Sequence, residues 1–224
     1  MAGGQGSDYD RLVALADYLK ENYEFDVIVF PGDWTDINSP KGFTQLDVAI
    51  LLVEELKRLK KPIIAVPGNM DTREIVELLK EEKISVHGEG KIVGDVGFYG
   101  YGGAKTPFKT NLEPTDEELR RGLQESWNVI KDSKIKVQVN HVPPYQTKVD
   151  LIASGLHVGS KIVREFIEDK KPNLVVCAHI HEGRGTEIIG NSFIINPGRF
   201  PEGYCGFVEI DNDGKVSGRV ENIL

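Results

Sequence analysis

Five residues scattered along this 224-residue sequence share one kind of chemistry. Asp33, Asn69, His141, His179 and His181 each follow closely on a short apolar run, and each can ligate a metal ion through oxygen or imidazole nitrogen. No thiolate accompanies them, so the set suits a divalent cation such as manganese, iron, zinc, nickel or magnesium rather than a cysteine-rich structural zinc. A carboxylate has two oxygens and can bridge two ions about 3.5–4 Å apart, which makes Asp33 the natural bridge. One or two such ions would lower the pKa of bound water from roughly 15.7 to about 7 and would clamp phosphoryl oxygens during in-line displacement. The expected reaction is hydrolysis of phosphate esters by a metal-activated hydroxide, with no side chain assigned as catalytic in its own right.

Taken singly, these signals have structural explanations. Gly32-Asp33 and Gly68-Asn69 are ordinary turn sequences, and a histidine at a strand end is commonly a hydrogen-bonded structural residue. Taken together they point to a metal. Three of the five histidines fall at strand ends, and His179 and His181 sit two positions apart, so that both can face one side of an extended chain.

The elements that must position these residues can be read from apolar periodicity. Leu12, Leu15, Ala16 and Leu19 recur at helical spacing after Ser7 and Asp8, which suit an N-cap. Val27 to Phe30 is a continuous apolar run of the kind found in a strand buried on both faces. A helix face through Leu46, Ala49, Ile50, Val53 and Leu56 and a second run, Ile63 to Val66, repeat the unit, which is βαβ alternation. A short helix around Ile75, Leu78 and Leu79 leads to a Gly-rich stretch whose segments 91–93 and 98–101 suggest antiparallel strands. Thr115 with Glu118 forms a capping box ahead of a helix through Leu119, Leu123, Trp127 and Ile130. Alternation at 136–139 runs into His141, a helix carries Ile162, Val163, Phe166 and Ile167, and Leu174 to Val176 is a further buried strand. Two β-like segments follow, at 186–189 and 192–195, and then a pair across Asp211 to Gly214, a hairpin signal. In an open parallel sheet the strand C-termini share one edge, so residues spread over about 150 positions would meet in one crevice.

Composition narrows the function classes. Net charge is −8, from 27 Lys and Arg against 35 Asp and Glu, with no basic tract, which argues against a nucleic-acid partner held through its phosphates. No apolar run approaches the roughly 18 residues of a membrane span. One domain over 1–224 is expected. The first residues carry neither a charged nor an apolar signal region, so a cytoplasmic protein is expected, with Cys177 and Cys205 as small buried hydrophobes. Few Gln, Met and Cys beside many Lys and Glu read as a thermophile's composition. Oligomeric state and physiological substrate stay open.

The blocks Gly32-Asp33-Trp34-Thr35-Asp36, Gly68-Asn69-Met70-Asp71, Asn140-His141-Val-Pro-Pro and Ala178-His179-Ile180-His181 resemble the calcineurin-like metallophosphoesterase superfamily, with Ala178 in place of the usual glycine. The stretches His141 to Thr147, Gly155 to Ser160 and Asn196-Pro197-Gly198 are similar to a prokaryotic branch of Icc-related phosphoesterases. The resemblance implies an α/β fold, a four-layer α-β-β-α sandwich of two mixed sheets. It assigns Asp33 as the bridge, Asn69, His141 and His179 to one ion and His181 to the other. Asn69 and, from their places after Gly155 and after the Asn196-Pro197-Gly198 turn, His157 and Arg199 are candidate contacts for a small phosphodiester or phosphomonoester.

Two departures from the pattern matter. Met70 stands where many members carry a histidine that protonates the leaving group, and a thioether cannot donate a proton. The first block of the pattern, D-x-H, is absent, because Met-Ala-Gly-Gly-Gln precedes Gly6; the N-terminus reads as truncated or replaced, without the family's first strand. One ion then keeps a full ligand set while the other is left with Asp33 and His181, and impaired activity is expected. Asp8 and Asp10 fit better as first-turn acids than as substitutes. His157 either approaches the site or caps the helix near Ser160, Arg199 either grips phosphate or lies on the surface, His87 is expected on a surface or loop, and Trp34 is either a pocket wall or packing. The competing function is a non-catalytic binding or scaffold protein on the same fold.

Overall fold

The computed structural model describes residues 9–223. The first helix, α1, runs Tyr9–Asn22 and buries Leu12, Leu15, Ala16 and Leu19, the face its periodicity predicts. Its proposed capping residues, Ser7 and Asp8, and the missing first strand fall outside the described residues. Strand β1 (Ile28–Phe30), helix α2 (Gln45–Lys57) and strand β2 (Ile63–Ala65) form a parallel βαβ unit, with Ile28 opposite Ile63 and Phe30 opposite Ala65. Helix α3 (Arg73–Glu81) follows. In α2, Thr44 and Asp47 close a capping box that fixes where the helix starts.

The remaining strands divide between two layers. β3 (Gly90–Val93), β4 (Val96–Tyr101), β5 (Ile135–Asn140), β6 (Leu174–Val176), β7 (Gly185–Ile189) and β8 (Ser192–Asn196) build a six-stranded mixed sheet in the order β3-β4-β5-β6-β8-β7. Its four central strands are parallel and its two edge strands antiparallel. The hairpin of β9 (Tyr204–Ile210) and β10 (Val216–Asn222) turns at the Asp211 to Gly214 signal, where the Asp211 carboxylate accepts the Asp213 and Lys215 amides. Helices α4 (Asp116–Ile130), entered through the Thr115–Glu118 capping box, and α5 (Lys161–Lys170) complete the chain.

Side-chain alternation explains the layering. Val137, Val139, Leu174, Val176 and Ile195 of the large sheet face Ile64 and Val66 of the β1–β2 layer, making the core between the sheets. Val175, Cys177 and Ile194 point the opposite way, onto α4 and α5. Along β9, Cys205 and Phe207 pack toward α1 and α2, while Val208 and Ile210 join the inter-sheet core, so the hairpin lies in the layer of β1 and β2. The result is a four-layer sandwich: α1–α3, then β1–β2 with β9–β10, then the six-stranded sheet, then α4–α5. The chemistry-bearing strand ends therefore belong to two facing sheets. No helix among the described residues is long and apolar enough to cross a membrane.

Candidate metal centre

The site is built on two pairs of strand ends. Asp33 follows β1 and Asn69 follows β2; His141 follows β5 and His179 follows β6, on the facing sheet. Beyond β1 the backbone enters the left-handed region twice in succession, at Gly32 (φ 99°) and Asp33 (φ 54°), and this turn aims the carboxylate inward. His179 is left-handed too (φ 67°). Non-glycine residues in that region are uncommon and collect at functional positions.

The turns interlock with no room for a side chain. A Cβ on Gly32 would stand 2.6 Å from both the Gly68 nitrogen and His141 Nδ1, and one on Gly68 would stand 2.0 Å from Asp33 Oδ1. Asp71 staples them: its Oδ2 accepts the Gly68 amide at 2.6 Å and the Trp34 amide at 3.1 Å, and its Oδ1 accepts the Thr35 amide at 3.0 Å. Burial and the neighbouring Asp33 push the Asp71 carboxyl up to about 7, against three backbone N–H groups that favour the anion. The sequence shows Asp71 within its block but gives it no role; its spacing from Gly68 is the available signal.

His141 is fully buried. Its Nδ1 lies 2.8 Å from the Pro31 carbonyl, which can only accept, so Nδ1 carries the proton. Nε2 then faces Asn69 Oδ1 at 2.9 Å and Asp33 Oδ2 at 3.3 Å. With neutral imidazole, three lone-pair donors point at one another, an arrangement satisfied by a proton on Nε2 or by a cation among them. Burial alone would lower the His141 pKa, but Asp33 and the Pro31 carbonyl outweigh it and raise it. Burial alone would likewise raise Asp33, yet His141 and the Met70 amide, 3.0 Å from Asp33 Oδ1, hold it low. His179 is kept neutral, its pKa lowered to about 3 by burial and then by His141.

Asp33, His141 and His179 offer ligand atoms all within 4.8 Å of one another. Asn69 joins through its contact with His141, and the donor set of carboxylate, amide oxygen and two imidazoles fits a divalent cation. His181 stands outside that group; burial and then Arg199 lower its pKa. Arg199 pairs with Glu202 at 3.5 Å, and its buried Nε has no partner among the described residues. His157 does not cap α5, because Ser160 Oγ accepts the Val163 amide there; instead His157 Nδ1 meets the buried carboxylate of Asp150 at 2.7 Å. Asp10 sits in the first turn of α1, and Asp8 lies outside the described residues. Trp34 is packing, fully buried and stacked on Phe30 at 4.1 Å. His87, expected on a surface or loop, has its ring 4.0 Å from that of Tyr101 and its Nδ1 accepting the Gly102 amide, with its pKa lowered to about 4 by burial.

Comparison with known proteins agrees with this geometry. The calcineurin-like phosphoesterase family matches residues 5–183. An uncharacterised protein of Methanocaldococcus jannaschii is 37% identical, over 84% of this chain and 88% of its own length. The crystal structure of TT1561 of Thermus thermophilus superposes with a TM-score of 0.71 at 22% identity, covering 97% of this chain and 96% of that one. A putative 5'-nucleotidase from Staphylococcus aureus has a TM-score of 0.57 at 16% identity over 95% of this chain and 47% of that one. A four-layer fold, candidate ligand residues at the strand ends and a family match over most of the sequence place this chain in the calcineurin-like phosphoesterase family.

Proposed function

We propose that the chain is a metal-dependent phosphohydrolase acting on small phosphate esters. Asp33, Asn69, His141 and His179 would hold one divalent cation, while Asp33 and His181 offer a partial set toward a second. When bound, such ions lower the pKa of a coordinated water and neutralise phosphoryl oxygens. The chain's own groups do the positioning. The Pro31 carbonyl fixes the His141 tautomer so that Nε2 faces the site, and the Met70 amide holds one oxygen of Asp33 and thereby the orientation of its carboxylate. Arg199, on the His181 side, supplies a guanidinium for a phosphate, and His157 is a candidate substrate contact within the loop organised by Asp150. Met70 supplies no proton, so phosphodiesters or esters with relatively acidic leaving groups suit the site best.

The observation that carries this reading is the set of facing acceptors, His141 Nε2, Asn69 Oδ1 and Asp33 Oδ2, in a family of metal-dependent phosphoesterases. The 5'-nucleotidase assignment of a structural neighbour supports small phosphate esters as the substrate class. Purified chain supplied with manganese should hydrolyse bis-p-nitrophenyl phosphate, and Asp33→Ala or His179→Ala should abolish the reaction. Undiminished turnover in both variants would overturn the proposal. A wild-type chain that binds metal yet hydrolyses neither mono- nor diester would favour the alternative, a binding protein on this fold.

A further inference from the structure

An amide ligand has an ambiguity that a carboxylate lacks: turned by half a rotation, it offers N–H donors instead of an oxygen. Turned that way, Asn69 would donate to His141 Nε2, 2.9 Å from it, and the amide and the imidazole would pair with each other instead of presenting two acceptors to a cation. A chain of hydrogen bonds from outside the site opposes this.

Asn69 Nδ2 donates to Thr110 Oγ1 at 3.2 Å, and Thr110 Oγ1 donates its only proton to Glu113 Oε1 at 2.8 Å. Glu113 Oε1 also accepts the Thr106 hydroxyl and the Thr110 amide, each at 2.7 Å. These bonds, the Thr106 hydroxyl first, hold the Glu113 carboxyl at about 2, so it is an acceptor at neutral pH. With its proton committed to Glu113, the Thr110 hydroxyl presents a lone pair to Asn69 and can receive only the NH2 end of the amide. The loop cannot drift from Asn69, because the Leu112 amide donates to the Asn69 carbonyl at 3.0 Å and Asn111 Nδ2 donates to the Met70 carbonyl at 2.7 Å.

We propose that Thr110 and Glu113 are positioning residues for the metal centre: the Glu113–Thr110–Asn69 relay fixes the polarity of the Asn69 amide so that its oxygen faces the cation. The inference rests on the metal-centre reading given above. Flipping the amide would set its oxygen against the Thr110 lone pair, leaving two acceptors facing each other in a part-buried place. The relay thus penalises the rearrangement that would let Asn69 pair with a neutral His141.

The test is cation binding to the full chain, read by calorimetric titration with manganese and by the visible absorption of bound cobalt. Thr110→Val keeps the shape of threonine and removes the acceptor; Thr110→Ser keeps the hydroxyl. Affinity should fall about 10- to 100-fold in Thr110→Val, the range for loss of an outer hydrogen bond to a ligand, with an altered cobalt spectrum, and Thr110→Ser should restore both. Thermal melting of the metal-free variants separates loss of polarity from loss of fold. Wild-type affinity and spectrum in folded Thr110→Val would overturn the relay while leaving the metal centre standing. Equal loss in Thr110→Val and Thr110→Ser would overturn it also, since the hydroxyl would then not be the agent. No cation binding by the wild type would remove the metal centre itself.

Discussion

Gly68→Ala is the sharpest test of the site's geometry, because the added methyl has nowhere to go. Its Cβ would lie 2.0 Å from Asp33 Oδ1 and 2.1 Å from the Asp33 backbone nitrogen, where real Cβ contacts essentially never fall below 3.0 Å. Rotating the Asp33 side chain relieves the first clash and not the second, so the turn carrying Asp33 must shift bodily by about 1 Å. Metal–ligand distances tolerate about 0.2 Å, and misplacing a reacting group by about 1 Å can cost on the order of 100-fold in rate. Overpacking at one point costs typically about 1–3 kcal/mol, less than the roughly 5–15 kcal/mol that keeps a domain folded. The variant should therefore stay folded by urea denaturation while losing cation affinity and at least the order of 100-fold in diester hydrolysis. Gly155→Ala, at a left-handed position with nothing within 4 Å, is the control that changes a backbone preference and leaves the centre alone. A folded Gly68→Ala protein with wild-type affinity and turnover would refute the reasoning.

Asp71→Asn replaces one acceptor oxygen with an NH2 group facing backbone N–H donors, whichever way the amide sits, and should destabilise the chain by about 1–3 kcal/mol for each buried amide left without an acceptor, measured by urea denaturation. Chelation should lower the melting temperature: a cation at about 100 times its Kd contributes about 2.7 kcal/mol, or roughly 5–10 °C for a chain of this size, and the shift should vanish in His179→Ala. Glu113 has a folded pKa of about 2 against an ordinary 4.5, so its stabilising contribution is fully present above about pH 4.5 and is lost as pH falls toward 2. The difference in protection of the Thr110 amide between wild type and Glu113→Gln, followed by hydrogen exchange, should shrink across that window; a difference independent of pH would count against the bond.

Much of the fold is legible because its central strands are buried on both faces. Val27 to Phe30, Ile63 to Val66 and Leu174 to Val176 stand out as unbroken apolar runs, and the observed strands lie inside them. Such runs do not say which sheet a strand joins, since a strand faces apolar neighbours on both sides in either sheet. The reading of one open parallel sheet therefore puts the right residues at strand ends for a reason that is only half the geometry: two ends come from one sheet and two from the sheet facing it. The ligand candidates are visible as residue types at strand ends. Their surroundings are not. Thr110 and Glu113 lie in a loop of irregular backbone with Lys109 at positive φ, where no periodicity marks a contact. His157 and His87 find partners, Asp150 and the Gly102 amide, that depend on the path of the chain rather than on spacing.

The division of the candidate ligands between two sheets has a mechanical consequence. Asp33 and Asn69 belong to the half of the molecule built on α1–α3, and His141 and His179 to the half built on α4 and α5. Apart from the apolar core between the sheets, the halves meet at this edge through His141, whose ring touches the Pro31 carbonyl, Asn69 and Asp33 at once, and through the loop ahead of α4, whose Gly103 and Leu112 amides donate to the Pro67 and Asn69 carbonyls and whose Thr110 and Asn111 bond Asn69 and Met70. Asp71 tightens one side of the seam, binding the turns after β1 and β2 to each other, and makes no bond across it. A cation held by ligands from both sides would add bonds to those of His141 and the loop, so its binding free energy would act across the seam and not within one loop. That is why an enlarged Gly68, a turned Asn69 and a released Asp71 all converge on the same property: each loosens or misaligns one bank of a seam whose two banks must be in register for the candidate ligand atoms to converge.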